Sequence, residues 1–192
     1  AARAVSISLV LCAALVIGGC RAGTGSPYAP QREIDRDTAA AERLTRQAAD
    51  LIDTNPEKAE RLLREALTKD LNHGPAHNNL GVLYLSQGEL YKAAGEFEWS
   101  RKLLPGHPDP RINLALTLER AGRIDDALRN YASALEVYPD HIGAMQGLAR
   151  LQLRHNRRDE RTPELLAAIA LRGETEQWRQ WAAQLACSHP SN

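Results

Sequence analysis

The sequence predicts an all-α fold: a solenoid of stacked helical hairpins, with two clear repeats, a degenerate repeat before them, an irregular unit after them and a capping helix. Three observations carry this. Identical residues recur 34 positions apart, at Asn79/Asn113, Leu80/Leu114, Gly88/Gly122, Ala93/Ala127, Pro105/Pro139 and His107/His141. Apolar residues fall at i, i+3, i+4 spacing, as in Leu80, Leu83 and Tyr84 or Leu114 and Leu118, the period of a helix with one buried face. Aromatics make up only 5% of the 192 residues, and the dominance of Ala, Leu and Arg favours helix over strand.

The first hairpin is the degenerate one. Leu44, Ala48 and Leu51 form a helical stripe. Asn55-Pro56-Glu57 opens the second helix, with Asn as N-cap and Pro in the first turn. Ala59, Leu63, Ala66 and Leu67 supply its apolar face. Residues 74–107 and 108–141 are the clear repeats. Gly88 and Gly122 are expected to end the first helix of each in the left-handed conformation. Pro105 and Pro139 stop the second helix, because proline lacks an N–H and clashes with the preceding turn. Gly81 or Ala115 can face Ala93 or Ala127, letting the paired axes approach to about 8–10 Å. Ile142, Met145, Leu148, Ala149 and Leu151 mark a fourth first-helix. Its partner is displaced by a loop over residues 156–161. Thr162-Pro163-Glu164 then opens a helix faced by Leu165, Leu166 and Ile169, Gly173 breaks it, and residues 174–187 form the last helix.

These repeats resemble the tetratricopeptide-repeat (TPR) family over roughly residues 38–156. The retained positions follow its signature in order: Leu80-Gly81 or Leu114-Ala115, then Gly88 or Gly122, Ala93 or Ala127, an aromatic at Phe97 or Tyr131, and Pro105 or Pro139. The resemblance implies a right-handed TPR-type helical-hairpin solenoid whose first helices line a concave, peptide-binding face. In this register the groove residues are Asn78, Asn79, Val82 and Leu85, then Ile112, Asn113, Leu116 and Glu119, then Gln146, Arg150 and Leu153. A side-chain amide both donates and accepts, so Asn79 and Asn113 can pair with an extended peptide backbone. They can equally bond a neighbouring helix. TPR families that clamp a terminal carboxylate use a Lys/Arg set on this face. Here only Arg150 and Arg154 are present, which makes such a clamp doubtful.

The N-terminus reads as an address. Arg3 is followed by an uncharged apolar run, residues 4–19, a signal-peptide pattern. The run is short for a membrane span, which needs ~20 apolar residues. It ends in Ile17-Gly18-Gly19-Cys20, which resembles the lipobox of bacterial lipoproteins. That resemblance implies cleavage before Cys20, acylation of its thiol and attachment to a membrane. An ordinary secretory signal or an uncleaved anchor is the alternative. Loss of residues 1–19 would leave 23 basic against 24 acidic residues. Gly, Ser and Pro in residues 21–37 read as a flexible tether. Four segments follow: a signal at 1–19, an acylated Cys20 and tether at 20–37, the array at 38–156, and irregular helices with a cap at 157–192. In enteric lipoproteins Asp after the cysteine favours the inner membrane. Arg21 therefore points to the periplasmic face of the outer membrane in a Gram-negative cell.

No nucleotide loop, nucleophile elbow or His-Glu-x-x-His motif is present. Balanced charge, 24 Lys+Arg against 24 Asp+Glu, gives no reason to expect nucleic acid. His73, His107 and His141 also recur at 34. Points that far apart along a solenoid cannot share one ion, since zinc nitrogens sit within about 2.1 Å. They read as polar turn residues, and no metal or cofactor is expected. Cys12, Cys20 and Cys187 form no disulfide framework. Trp178 and Trp181 share a face of the last helix, either sealing the array end or anchoring a partner. These features describe a membrane-tethered adaptor for protein partners in the cell envelope, similar in layout to TPR lipoproteins that support pili, secretion pores or cell-wall hydrolases. The alternative is a binding module for cell-wall glycan, which would need exposed aromatics at Trp99 or at Trp178 and Trp181.

Overall fold

Left-handed backbone at Gly88 (φ 78°) and Gly122 (φ 75°) closes each clear repeat into a tight hairpin. The computed structural model describes residues 36–187, and every regular element among them is a helix. In order these are α1 (Thr38–Ala49), α2 (Pro56–Lys69), α3 (Gly74–Ser86), α4 (Leu90–Leu103), α5 (Asp109–Arg120), α6 (Ile124–Val137), α7 (Ile142–Arg154), α8 (Thr162–Arg172) and α9 (Glu176–Cys187). The helices pair in sequence, α1 with α2, α3 with α4, α5 with α6 and α8 with α9. This is the expected hairpin solenoid. The signal segment 1–19, Cys20, residues 21–35, His189 and the side chain of Cys187 lie outside the described residues.

Local chemistry sets the boundaries. Asn55 Oδ1 accepts from Lys58 N at 3.1 Å and caps α2, satisfying a donor that the helix itself cannot. The chain enters α1 through a clip onto the end of α2. Asp37 N donates to Lys69 O at 3.0 Å, Thr38 Oγ1 donates to Asp70 Oδ2 at 2.8 Å, and Arg36 Nε lies 3.8 Å from Asp70 Oδ1. His141 caps α7, its Nδ1 accepting from Ala144 N at 3.2 Å. His73 holds the matching place before α3 and makes no side-chain cap bond. His73 and His141 are thus helix-entry residues, whereas His107 lies one residue before the N-cap of α5, Pro108.

One continuous core runs through the stack, with Leu63, Leu83, Phe97, Leu114, Leu135, Leu151 and Ile169 fully buried. Gly81 makes room for the Phe97 ring: a Cβ there would meet Phe97 Cε1 at 2.6 Å. Gly147 on α7 likewise makes room for the Tyr131 ring of the preceding helix, α6. On α3 and α7 the small residue therefore admits an aromatic ring from a second helix. His77 ties α3 to α4. Its Nδ1 lies 2.7 Å from Glu96 Oε2 and its Nε2 lies 3.0 Å from Leu71 O.

The irregular unit has a specific cause. Asn156 takes φ 52°, and the following loop is pinned by a polar cluster. Gln152 Nε2 donates to Asp159 Oδ2 at 2.8 Å, Thr162 Oγ1 donates to Gln152 Oε1 at 3.0 Å, and Asp159 N donates to Thr162 Oγ1 at 2.9 Å. This network fixes where α8 starts, and so where α9 lies.

Burial holds the His73 imidazole below its ordinary value of 6.5, against the opposing pull of Asp70. The unfolded chain binds that proton more readily, so its contribution to stability is present above pH ~6.5 and lost as pH falls below it. Urea midpoints are expected to drop between pH 7.5 and 5.5. His73→Asn, which removes the titrating group, should lessen that drop. An unchanged acid slope in the variant would assign the drop to other groups.

Candidate binding face

The first helices pack directly on one another, α1 on α3, α3 on α5 and α5 on α7. Their neighbouring faces form an inner row that spans the repeats. On it lie Asn78, Asn79, Val82, Ile112, Asn113, Leu116, Glu119, Arg150 and Leu153, all half-buried. Leu85 and Gln146 are buried. Val82, Ile112, Leu116 and Leu153, on α3, α5 and α7, are the partly accessible apolar side chains of this row.

The polar residues of the row are cross-linked between repeats. Asn113 Nδ2 donates to Asn78 Oδ1 at 3.1 Å, and Asn78 Nδ2 reaches Asn79 Oδ1 at 3.5 Å. The amides thus bond one another as well as facing the row. Arg120 Nη1 donates to Leu85 O at 3.2 Å. Arg150 grips Glu119 with both nitrogens, Nη1 to Oε1 at 2.6 Å and Nη2 to Oε2 at 2.7 Å. That pair is bidentate, the strong geometry for a guanidinium and a carboxylate. The Glu119 side chain is only 11% exposed. Arg154 Nη1 also stands 3.8 Å from Glu119 Oε1. The Glu119 carboxylate holds the Arg150 guanidinium above its ordinary value. Burial pushes the neighbouring Tyr131 hydroxyl up to about 12, with Glu119 adding to the effect.

At the C-terminal end the row meets α9. Trp178 and Trp181 are half-buried and packed edge to face, with ring centroids 5.2 Å apart at 89°. They line a cavity of ≈ 260 Å³ with Arg150 and Gln177. A second cavity of ≈ 390 Å³ shares Arg150 and Trp181 and adds Leu153, Arg154 and Leu185. The two indoles therefore share a face with Arg150 and Leu153 of the inner row. Residue type and spacing on α9 alone left their role open, because their neighbours depend on how far the loop before Thr162 displaces α8 and α9. Away from this face, Tyr91 is 93% exposed and Trp99 54% exposed, both on α4. Among the described residues no cluster of three or more His, Cys, Asp or Glu side chains could hold a metal ion.

Over residues 20–169 the chain matches the family model described as protein kinase G tetratricopeptide repeat. It is 30% identical over 108 residues to human tetratricopeptide repeat protein 8, a match covering 55% of this chain and 19% of that protein. The mouse protein of the same name matches at 28%. The chain thus spans about a fifth of the length of the curated relatives it matches. Among solved structures it is similar to MamA, with a TM-score of 0.59 and 17% identity, over 80% of this chain and 84% of that one. It is also similar to the first TPR of Spaghetti (RPAP3) bound to HSP90 peptide SRMEEVD. There the TM-score is 0.60 and the identity 14%, over 64% of this chain and 98% of that one.

Proposed function

Because the chain belongs to the protein kinase G tetratricopeptide-repeat family, we propose that it is a membrane-tethered adaptor that binds protein partners in the bacterial cell envelope, in support of a pilus, secretion or cell-wall machine. It works by recognition rather than by catalysis. The observation that carries this reading is the inner row itself. Val82, Leu116 and Leu153 recur along it among amides and guanidinium groups, the mixture that suits an extended peptide with alternating side chains. The Asn78–Asn79–Asn113 amides keep donor and acceptor capacity beyond their mutual bonds. Support for the tether comes from Arg3, the apolar run after it and Ile17-Gly18-Gly19-Cys20. Arg21 argues for the periplasmic face of the outer membrane.

Two measurements in one strain test both halves. A photo-crosslinking residue at Val82 or Leu116 is expected to capture a protein in intact cells, whereas one at exposed Gln87 is not. Cys20→Ser is expected to abolish incorporation of a fatty-acid analogue and release the chain from the membrane fraction. Equal labelling of Cys20→Ser and the unaltered chain refutes the lipid anchor. Equal capture from Gln87 and the inner row refutes the groove.

A further inference from the structure

The C-terminal end of the inner row differs from the rest in charge and in aromatic content. Arg150 and Arg154 gather around one carboxylate, Glu119. Arg150 holds it bidentately and Arg154 approaches it, while Arg120 turns to the Leu85 carbonyl. Arg120 and Arg154 sit in the last turns of α5 and α7, where the helix dipole favours a cation. Two positive groups against one nearly buried negative group leave this end cationic. The opposite wall is apolar, made of Trp178, Trp181 and Leu185 on α9. No carboxylate lines either cavity between the walls. The pair with Glu119 occupies two of the five N–H donors on the Arg150 guanidinium and fixes its orientation. One turn before Arg150, Gln146 has a buried Nε2 with no hydrogen-bond partner among the described residues.

We propose that the cleft between α7 and α9 is the specificity site of the groove, and that it selects an acidic peptide segment carrying a bulky apolar side chain. The apolar side chain packs against Trp178, Trp181 and Leu185. The flanking carboxylates meet Arg150 and Arg154. This rests on the adaptor reading above and adds to it the chemistry of the partner. Charge complementarity decides the occupant: a basic segment would face Arg150 and Arg154 with no carboxylate on the walls to offset them. A neutral sugar would leave the cationic wall unused, and two rings at 89° do not offer it a flat platform.

The test uses the full chain in detergent carrying Trp99→Phe, so that Trp178 and Trp181 report the cleft. Three end-blocked peptides serve as probes: EELEDL, its basic counterpart KKLKKL and its side-chain-poor counterpart EEGEDG. EELEDL is expected to bind and shift the tryptophan emission, with an affinity that falls as salt rises. KKLKKL and EEGEDG should each bind at least about 10-fold more weakly, a loss of 1.4 kcal/mol. Arg154→Gln removes an exposed arginine (side chain 67% exposed) without disturbing the core, and should weaken EELEDL about 3- to 10-fold at low salt, in keeping with one charge contact. Trp178→Ala should weaken it about 30-fold or more, as for an interface hot spot.

Equal binding of KKLKKL or EEGEDG overturns the proposal, as does an Arg154→Gln chain with unchanged affinity. So does an emission shift with an N-acetylglucosamine tetramer but none with EELEDL, which would make the cleft a sugar site. Capture from Val82 or Leu116 in cells, undiminished in the Arg154→Gln/Trp178→Ala chain, would discard the cleft and leave the adaptor reading standing. Loss of all capture from the unaltered chain would discard the adaptor reading instead.

Discussion

Gly81→Leu and Gly147→Leu are each expected to lower stability by about 3 kcal/mol or more, at the upper end of overpacking costs. A Cβ at Gly81 would already lie 2.6 Å from Phe97 Cε1, and one at Gly147 would be closer still to Tyr131. Phe97 is fully buried and Tyr131 nearly so. Neither ring can swing into solvent, so the helices must part. At about 2–4 °C per kcal/mol for a chain of this size, the melting temperature should fall by about 10 °C. Gly95→Ala supplies the contrast from the same repeat. Its Cβ would meet nothing within 4 Å, and the site is inside α4, where alanine is the better helix former. It should gain about 0.5–1 kcal/mol. Gln87→Leu, exposed at the end of α3, should change little. Urea midpoints decide the matter: a Gly81→Leu chain as stable as the unaltered one would contradict the packing described.

Arg150→Gln should cost about 2–3 kcal/mol, somewhat less than breaking a fully buried pair. The loss arises less from the missing attraction than from the charge left behind. Glu119, 11% exposed, keeps its carboxylate with the Tyr131 hydroxyl and the more distant Arg154 as the charges and dipoles beside it. Replacing both groups, as Glu119→Gln/Arg150→Gln, should recover most of the loss, because no unpaired charge remains. The double-mutant cycle then reports the coupling directly. Arg46→Gln, which removes the exposed Arg46–Glu42 pair, should change stability by about 0.5 kcal/mol or less. A double variant no more stable than Arg150→Gln would show that the pair does not act through stranded charge.

The hairpin array was legible because its boundary signals are local. Gly88 and Gly122 at positive φ, Asn55 as a cap and the helix opened by Thr162 each follow from one or two residues and the backbone. The links between repeats were legible only to within a helical turn. Asn78–Asn113 and Leu85–Arg120 are 35 positions apart, and Glu119–Arg150 are 31 apart. All lie close to the 34-residue period, but which neighbour each side chain chooses depends on the stagger of adjacent helices. Glu119 and Arg150 were both assigned to the groove from the sequence, yet their pairing was not visible there. The placement of Trp178 and Trp181 beside Arg150 was less legible still. It hangs on the Gln152–Asp159–Thr162 cluster, whose bonds join residues that no repeat relates.

The clip at the entrance to the array has a mechanical meaning. Asp37 and Thr38 are fastened to Lys69 and Asp70, at the far end of the first hairpin. On the tethered reading proposed above, tension arriving through Arg36 passes across the clip into the segment leading to α3, and the α1–α2 hairpin lies outside the line of force. While the clip holds, the inner row stays unloaded along its first hairpin. Once it breaks, the 34 residues from Asp37 to Asp70 can pay out to about 110–120 Å of extended chain. The first hairpin is then a shock absorber, lengthening the reach of the array before α3, α5 and α7 feel the pull.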